Sequence, residues 1–183
     1  MDEQLQFIKL IASRLDSSGI PYMLTGSMAM AIYSVPRMTR DIDLVVEISP
    51  ADVDRVVSLF SGDCYIDRDS VRQAISKQSL FNIIHNNWVT KADFIIRKDE
   101  EYRREEFARR QKVSIEDMTI FVVSAEDLIL SKLLWGRDSK SELQFRDIRQ
   151  MISNVQGLDW LYLNKWAIAL GIDALLEKAK ENE

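Results

Sequence analysis

Apolar and polar positions along this chain follow two rhythms, and the switches between them mark out its elements. From residue 3 to 18, Leu5, Ile8, Ile11, Ala12 and Leu15 recur at helical spacing, so a helix with one buried face is predicted. Ser17, Ser18 and Gly19 end it, and Pro21 leads into a short apolar run, Tyr22 to Leu24, read as the first strand. A helix-like run follows from Met28 to Tyr33, closed by Pro36. Residues 41 to 46 then begin by alternating charged and aliphatic side chains, the period-two pattern of a second strand. Ser49 before Pro50 reads as a helix N-cap, with Val53, Val56, Val57 and Phe60 as the buried stripe and Gly62 as the stop. A short edge strand at 64 to 67 and a helix capped by Asp69 and running through Ser76 come next.

Two apolar arms, 80 to 85 and 89 to 96, separated by Asn86, Asn87 and Trp88, predict a β-hairpin. The charge-dense stretch 99 to 110 reads as a solvated helix face laced with i,i+4 pairs. A second hairpin is predicted at 112 to 116 and 118 to 123. Ser124 with Asp127 forms a capping box, and from Ala125 the pattern is helical to the end. Leu143, Phe145, Ile148, Met151 and Ile152 are read as the buried side of one helix there, and Asp159 as the cap of another. The tryptophans at 135, 160 and 166 are expected in the core, and His85, at a hairpin turn, in solvent. The whole predicts an α+β fold: a mixed β-sheet flanked by helices over residues 1–123, with a C-terminal helical bundle, 124–183, packed tightly on it.

The chain has 183 residues, 46% hydrophobic and 29% charged, the composition of an ordinary globular protein. No apolar run reaches the length of a membrane span and the N-terminus carries no signal-peptide pattern, so no membrane partner is expected. One cysteine, Cys64, excludes an internal disulfide framework and suits the reducing cytoplasm, the expected location. One cysteine and one histidine also argue against a zinc site. The net charge of −5 argues against generic binding of nucleic acid by charge.

The candidate chemistry lies between residues 22 and 46. In a strand, Asp41 and Asp43 point to the same side while Ile42, Leu44 and Val46 turn into the core. Two such carboxylates repel and raise each other's pKa unless a cation lies between them. Hard oxygen donors on a strand suit Mg²⁺, which binds one or two carboxylates plus substrate phosphates. Upstream, Gly26-Ser27 stands where a strand turns into a helix, and a helix start offers unpaired N–H groups and a positive dipole end to an anion. An anion cradle followed by a carboxylate pair is what a metal–nucleoside triphosphate requires. Asp93, inside an apolar strand and on one face with Lys91 and Ile95, needs a reason, and the plain one is an edge position exposed to water. Lys132, amid apolar residues, either reaches a phosphate or snorkels to a helix rim. Asp147 with Arg146 reads as a structural tie between the two halves or an exposed pair.

Gly26-Ser27, thirteen residues, then Asp41, Ile42, Asp43 and Leu44 resemble the signature of the DNA polymerase β-like nucleotidyltransferase superfamily. The longer stretch from Tyr33 to Val46 resembles its AbiEii-type toxin branch, as does the pattern of Lys132, Arg137, Asp147 and Ile148 on the later helices. The resemblance spans residues 22 to 148. Thr25, where the superfamily often has an apolar residue, departs from it. The resemblance implies Mg²⁺-dependent transfer of a nucleoside monophosphate from a nucleoside triphosphate, on a two-metal site that could also take Mn²⁺. It assigns Asp41, Asp43 and Asp93 as catalytic and metal-binding residues, and Gly26, Ser27, Arg37, Thr39 and Lys132 as substrate-binding residues. The acceptor is left open among tRNA, a small molecule and a protein, and an antitoxin or a second copy is an implied partner. The alternative is a catalytically silent binding module on the same fold.

Overall fold

The computed structural model describes residues 2–35, 41–139 and 141–181, with the backbone alone at 2, 138 and 139. Chain order gives α1 (Asp2–Ser17), β1 (Tyr22–Thr25), α2 (Gly26–Tyr33), β2 (Ile42–Val46), a 3₁₀ turn at Pro50–Asp52, α3 (Val53–Phe60), β3 (Cys64–Tyr65), α4 (Arg68–Lys77), β4 (Leu80–His85) and β5 (Lys91–Ile96). Then follow α5 (Glu101–Ala108), β6 (Gln111–Ile115), β7 (Met118–Val122), α6 (Ala125–Ser139), α7 (Glu142–Asn154), α8 (Trp160–Ala169) and α9 (Asp173–Lys180). The strands form one mixed sheet in the order β3-β4-β5-β2-β1-β7-β6. β2 runs parallel to β5, and β1 parallel to β7; the other neighbours are antiparallel. This is the α+β architecture expected from the sequence.

Period-two alternation gives the sheet two different faces. Ile42, Leu44 and Val46 of β2 and Ala92, Phe94 and Ile96 of β5 are buried on one face. Phe60 and Phe81 pack on Phe94 there, with ring centroids 5.6 and 5.1 Å away. The opposite face carries Asp43, Val45, Asp93 and Ile95. β2 and β5 lie in the middle of the sheet, so the solvent-edge position for Asp93 does not apply.

Several local expectations change in the folded chain. Asp67, not Asp69, caps α4: Asp67 is extended and its carboxylate accepts the Ser70 N–H at 2.7 Å, while Asp69 already lies in the first turn. β5 starts at Lys91 because Val89 is left-handed, with φ of 52°, and belongs to the turn. His85 is buried, stacked on Trp88 at 3.8 Å and edge-on to Phe7 at 5.5 Å; two flat apolar faces outweigh its turn position. Trp166 is in the core, but Trp135, Trp160 and Leu143 are partly exposed. α5 keeps a solvated face at Glu101, Arg104, Glu105 and Ala108, but its internal ion pair, Arg103–Glu106, is i,i+3 and its other face is buried. Glu106 is buried, accepting from the Arg103 guanidinium at 2.8 Å and from Ser131 Oγ at 2.6 Å, which ties α5 to α6. No described helix is long and apolar enough to cross a membrane.

Asp127 joins three helices. Its fully buried carboxylate accepts from Ser124 Oγ at 2.6 Å, Tyr162 Oη at 2.6 Å and Arg109 Nε at 3.1 Å. Ser124 Oγ in turn accepts the Asp127 N–H at 3.2 Å, so the same pair caps α6. Asp127→Ala leaves a phenol and a guanidinium without their shared acceptor. A loss of about 3 kcal/mol is expected, seen as a fall of about 6–12 °C in thermal unfolding, whereas Asp69→Ala should move it by less than about 2 °C.

Candidate active site

The end of β1 and the start of α2 hold the first half of the site. Gly26 opens α2 with φ of +65°, a conformation that glycine adopts without penalty. A Cβ on Gly26 would lie 2.8 Å from Asp43 Cγ and would collide with its carboxylate. The glycine is therefore required twice, by the backbone turn and by the space Asp43 takes. Ser27 follows, half-buried.

Strand register supplies the second half. Thr25 of β1 pairs with Asp43 of β2, Asp43 with Asp93 of β5, and Asp93 with Asn82 of β4. A row of polar side chains therefore crosses four strands whose next row, Leu24, Leu44, Phe94 and Phe81, is apolar. Asp93 accepts a hydrogen bond from Asn82 Nδ2 and lies 3.1 Å from Lys91 Nζ. Lys91 Nζ also reaches Asp41 Oδ1 at 3.5 Å, so one ammonium bridges the first and third carboxylates. Among the described residues Asp43 has no such direct ammonium. Burial, then the charges of Asp93 and Asp41, push its carboxyl up to about 6, against the opposing pull of Lys91 and Lys132.

Lys132 comes from α6 and is neither at a rim nor snorkelling. It is 3% exposed, with Nζ 2.9 Å from Asp147 Oδ2 and 3.1 Å from Gln144 Oε1, both on α7. Asp147 is fully buried, while Arg146 is exposed and makes no ion pair with it.

A cavity of about 360 Å³ gathers most of the expected residues: Gly26, Ser27, Asp41, Asp43 and Lys132 all line it, with Gln144. Asp93 is outside this lining, one strand further along the row. Arg37 and Thr39 lie outside the described residues. Among the described residues no three His, Cys, Asp or Glu side chains already converge as a metal cluster. Lys91 stands between two of the carboxylates instead. Lys91 and Asn82 went unassigned in the sequence, although Lys91 shares the Asp93 face by simple alternation.

No family model matches the sequence, and no curated protein is similar enough to match it. Solved structures do match. The antibiotic-resistance factor ANT(2'')-Ia aligns over 97% of this chain and 97% of its own, at 16% identity and a TM-score of 0.60. The chain has the nucleotidyltransferase fold. An antigenic nucleotidyltransferase-like protein from Paracoccidioides brasiliensis aligns over 97% of this chain and 92% of its own, at 18% identity and a TM-score of 0.59. The lincosamide antibiotic adenylyltransferase LnuA, solved with lincomycin bound, aligns over 85% and 98%, at 13% identity and a TM-score of 0.55.

The electrostatics of Asp43 have a measurable consequence. The folded carboxyl keeps its proton up to about pH 6, whereas its ordinary value is 3.8. The native state thus binds more protons than the unfolded chain between those values, and stability falls as pH rises through that window. In metal-free buffer, Asp43→Asn is expected to be more stable than the wild type by about 2 kcal/mol at pH 8, with the difference vanishing near pH 4. Urea unfolding at the two pH values measures this.

Proposed function

We propose that this chain is a nucleotidyltransferase that moves a nucleoside monophosphate from a nucleoside triphosphate to a hydroxyl of a small-molecule acceptor. The observation that carries the reading is the pairing of Asp43, a half-buried carboxylate repelled by Asp41 and Asp93, with the Gly26-Ser27 helix start on the wall of one cavity. Two solved structures of the same fold support a small acceptor, since LnuA is an adenylyltransferase with lincomycin bound and ANT(2'')-Ia was solved with adenylyl-2''-tobramycin. In this reading residues 1–123 form the catalytic core and 124–183 the part that closes over it. The nucleotide supply and the lone Cys64 fit a cytoplasmic setting.

The donor set fits a divalent cation: hard oxygens, no compensating ammonium directly on Asp43 among the described residues, and a proton affinity raised by desolvation and then by like charge. Asp41 and Asp43 would hold Mg²⁺, with Asp93 joining once Lys91 yields its place. The ion would supply charge neutralisation of the phosphates and of the leaving pyrophosphate. The protein's own groups do the rest. The α2 N-terminus and Ser27 hold phosphate oxygens. Lys132 gives the same cavity a positive charge, kept in position by Asp147 and Gln144. Asp93, steadied by Asn82, takes the acceptor hydroxyl proton as the acceptor oxygen bonds to the α-phosphorus and the bond to pyrophosphate breaks.

The test separates this from a silent binding module. Wild type should be stabilised by Mg²⁺ with ATP or GTP in thermal unfolding, and should release pyrophosphate when supplied with hydroxyl-bearing acceptors. Asp93→Asn should keep most of the stabilisation yet release pyrophosphate at least ~100-fold more slowly. Stabilisation without any pyrophosphate release from the wild type would support the binding module, and undiminished release by Asp93→Asn would remove Asp93 from the chemistry.

A further inference from the structure

The ion pairs of this chain are unevenly spread. Arg14, Arg55, Arg68, Arg72, Arg97, Arg103, Arg104 and Arg109 each pair with a carboxylate. In an acidic chain, with 29 Asp and Glu against 24 Lys and Arg, such pairing is easily satisfied. Among the described residues Arg146, Arg149 and Lys178 have no carboxylate within ion-pair distance; Arg110 and four lysines elsewhere share that, but these three stand together. All three line one cavity of about 630 Å³, together with Arg137 and Phe145. Glu142, the acid in that lining, pairs with none of the three.

The placement follows from helix geometry. Glu142, Phe145, Arg146 and Arg149 fall at i, i+3, i+4 and i+7 of α7 and so share one face. Lys178 comes from α9 and lies 5.7 Å from the centroid of the Phe145 ring. Arg137, near the end of α6, donates to the Leu170 carbonyl at 3.3 Å, which ties it to the end of α8. The Nε of Arg149 is buried and has no hydrogen-bond partner. A buried N–H without an acceptor is costly, and so is a cluster of like charges. One ligand removes both costs: an anion with several oxygens.

We propose that this cavity is a second binding site, for a phosphate-bearing ligand. The guanidinium fork matches phosphate oxygens in pairs, and two arginines from one helix face present two forks. The volume is that of a small-ligand pocket, and the Phe145 ring offers an apolar surface beside the charges. The cavity shares no lining residue with the carboxylate cavity. The two stand back to back across the α6–α7 corner: Trp135, Leu143 and Gln144 line one, and Gly136, Arg137, Phe145 and Arg146 the other. An occupant of the second cavity therefore bears on the helix that holds Lys132. The phosphate could come from a free nucleotide or from the backbone of a nucleic-acid end, and the assignment does not depend on the transfer reaction.

The experiment uses the whole chain without Mg²⁺, in EDTA. Binding of adenosine 5′-monophosphate is followed by calorimetry, and binding of a labelled ten-nucleotide single-stranded RNA by fluorescence anisotropy at several salt concentrations. At least one probe is expected to bind. In R146Q/R149Q its affinity should fall at least ~10-fold and, for RNA, the log–log salt slope should shrink by about 1.4, the share of two phosphate contacts. Lys178→Gln, on another helix, should weaken the same probe to a lesser degree, which guards against a folding defect in α7. Binding of the monophosphate alone would identify a small-molecule source, and a salt-dependent preference for RNA a nucleic-acid source. No binding of either probe, or binding unchanged in R146Q/R149Q, would overturn the proposal. Failure of the pyrophosphate assay would leave this result untouched, so the two readings fail separately.

Discussion

A half-buried carboxylate that desolvation and its charged neighbours push towards its protonated form is the constraint on which the rest of the site depends. Asp43 sits in a central strand whose other face must bury Ile42, Leu44 and Val46, so it has no freedom to turn away. Its carboxylate takes the space beside Gly26, so no residue with a side chain can open α2 there. Parallel pairing with β5 brings Asp93 level with it, and two residues earlier Asp41 and Lys91 fall on the same face. Each of these placements follows from the sheet register, and a one-residue slip of β2 would turn Asp43 into the core.

The helices that follow the sheet answer that charge from the other side. Lys132 and Asp147 are both buried, 15 positions apart, and meet only because α6 and α7 pack against each other. A buried ion pair is weak support for stability in itself, but removing one partner strands the other. Its placement on the cavity wall, close enough to lower the Asp43 pKa, gives the pair a second use as the positive side of a site whose negative side is the sheet. Asp127, with Tyr162 and Arg109, and Glu106, with Arg103 and Ser131, fix α5, α6 and α8 around that wall.

What the sequence made legible is what depends on near neighbours. Asp41 and Asp43 declare themselves by alternation, Gly26-Ser27 by standing between a strand and a helix, and the hairpins by their apolar arms. The row Thr25, Asp43, Asp93, Asn82 needs strand order, which no local pattern carries. The parallel partnership of β2 and β5 spans two helices and two strands. His85 looked like a turn residue because the stacking of Trp88 and the edge of Phe7 are visible only in three dimensions. The buried side of α5 was hidden in its charged stretch because the Ser131 hydroxyl that donates to Glu106 and the Asp127 carboxylate that accepts from Arg109 both come from α6. The cationic face of α7 was lost within a helix of ordinary charge, since its meaning rests on which carboxylates are absent around it.

The central claim is that the carboxylates on this face form a cation site centred on Asp43. Manganese is a direct probe, because its free-ion spectrum in electron paramagnetic resonance disappears on binding. Titrating Mn²⁺ into wild-type protein at pH 8 with a non-hydrolysable nucleoside triphosphate is expected to show saturable loss of the free-ion signal beyond what the nucleotide alone removes. Asp43→Asn should abolish that excess. An equal excess in the variant, or none in the wild type, would contradict the account.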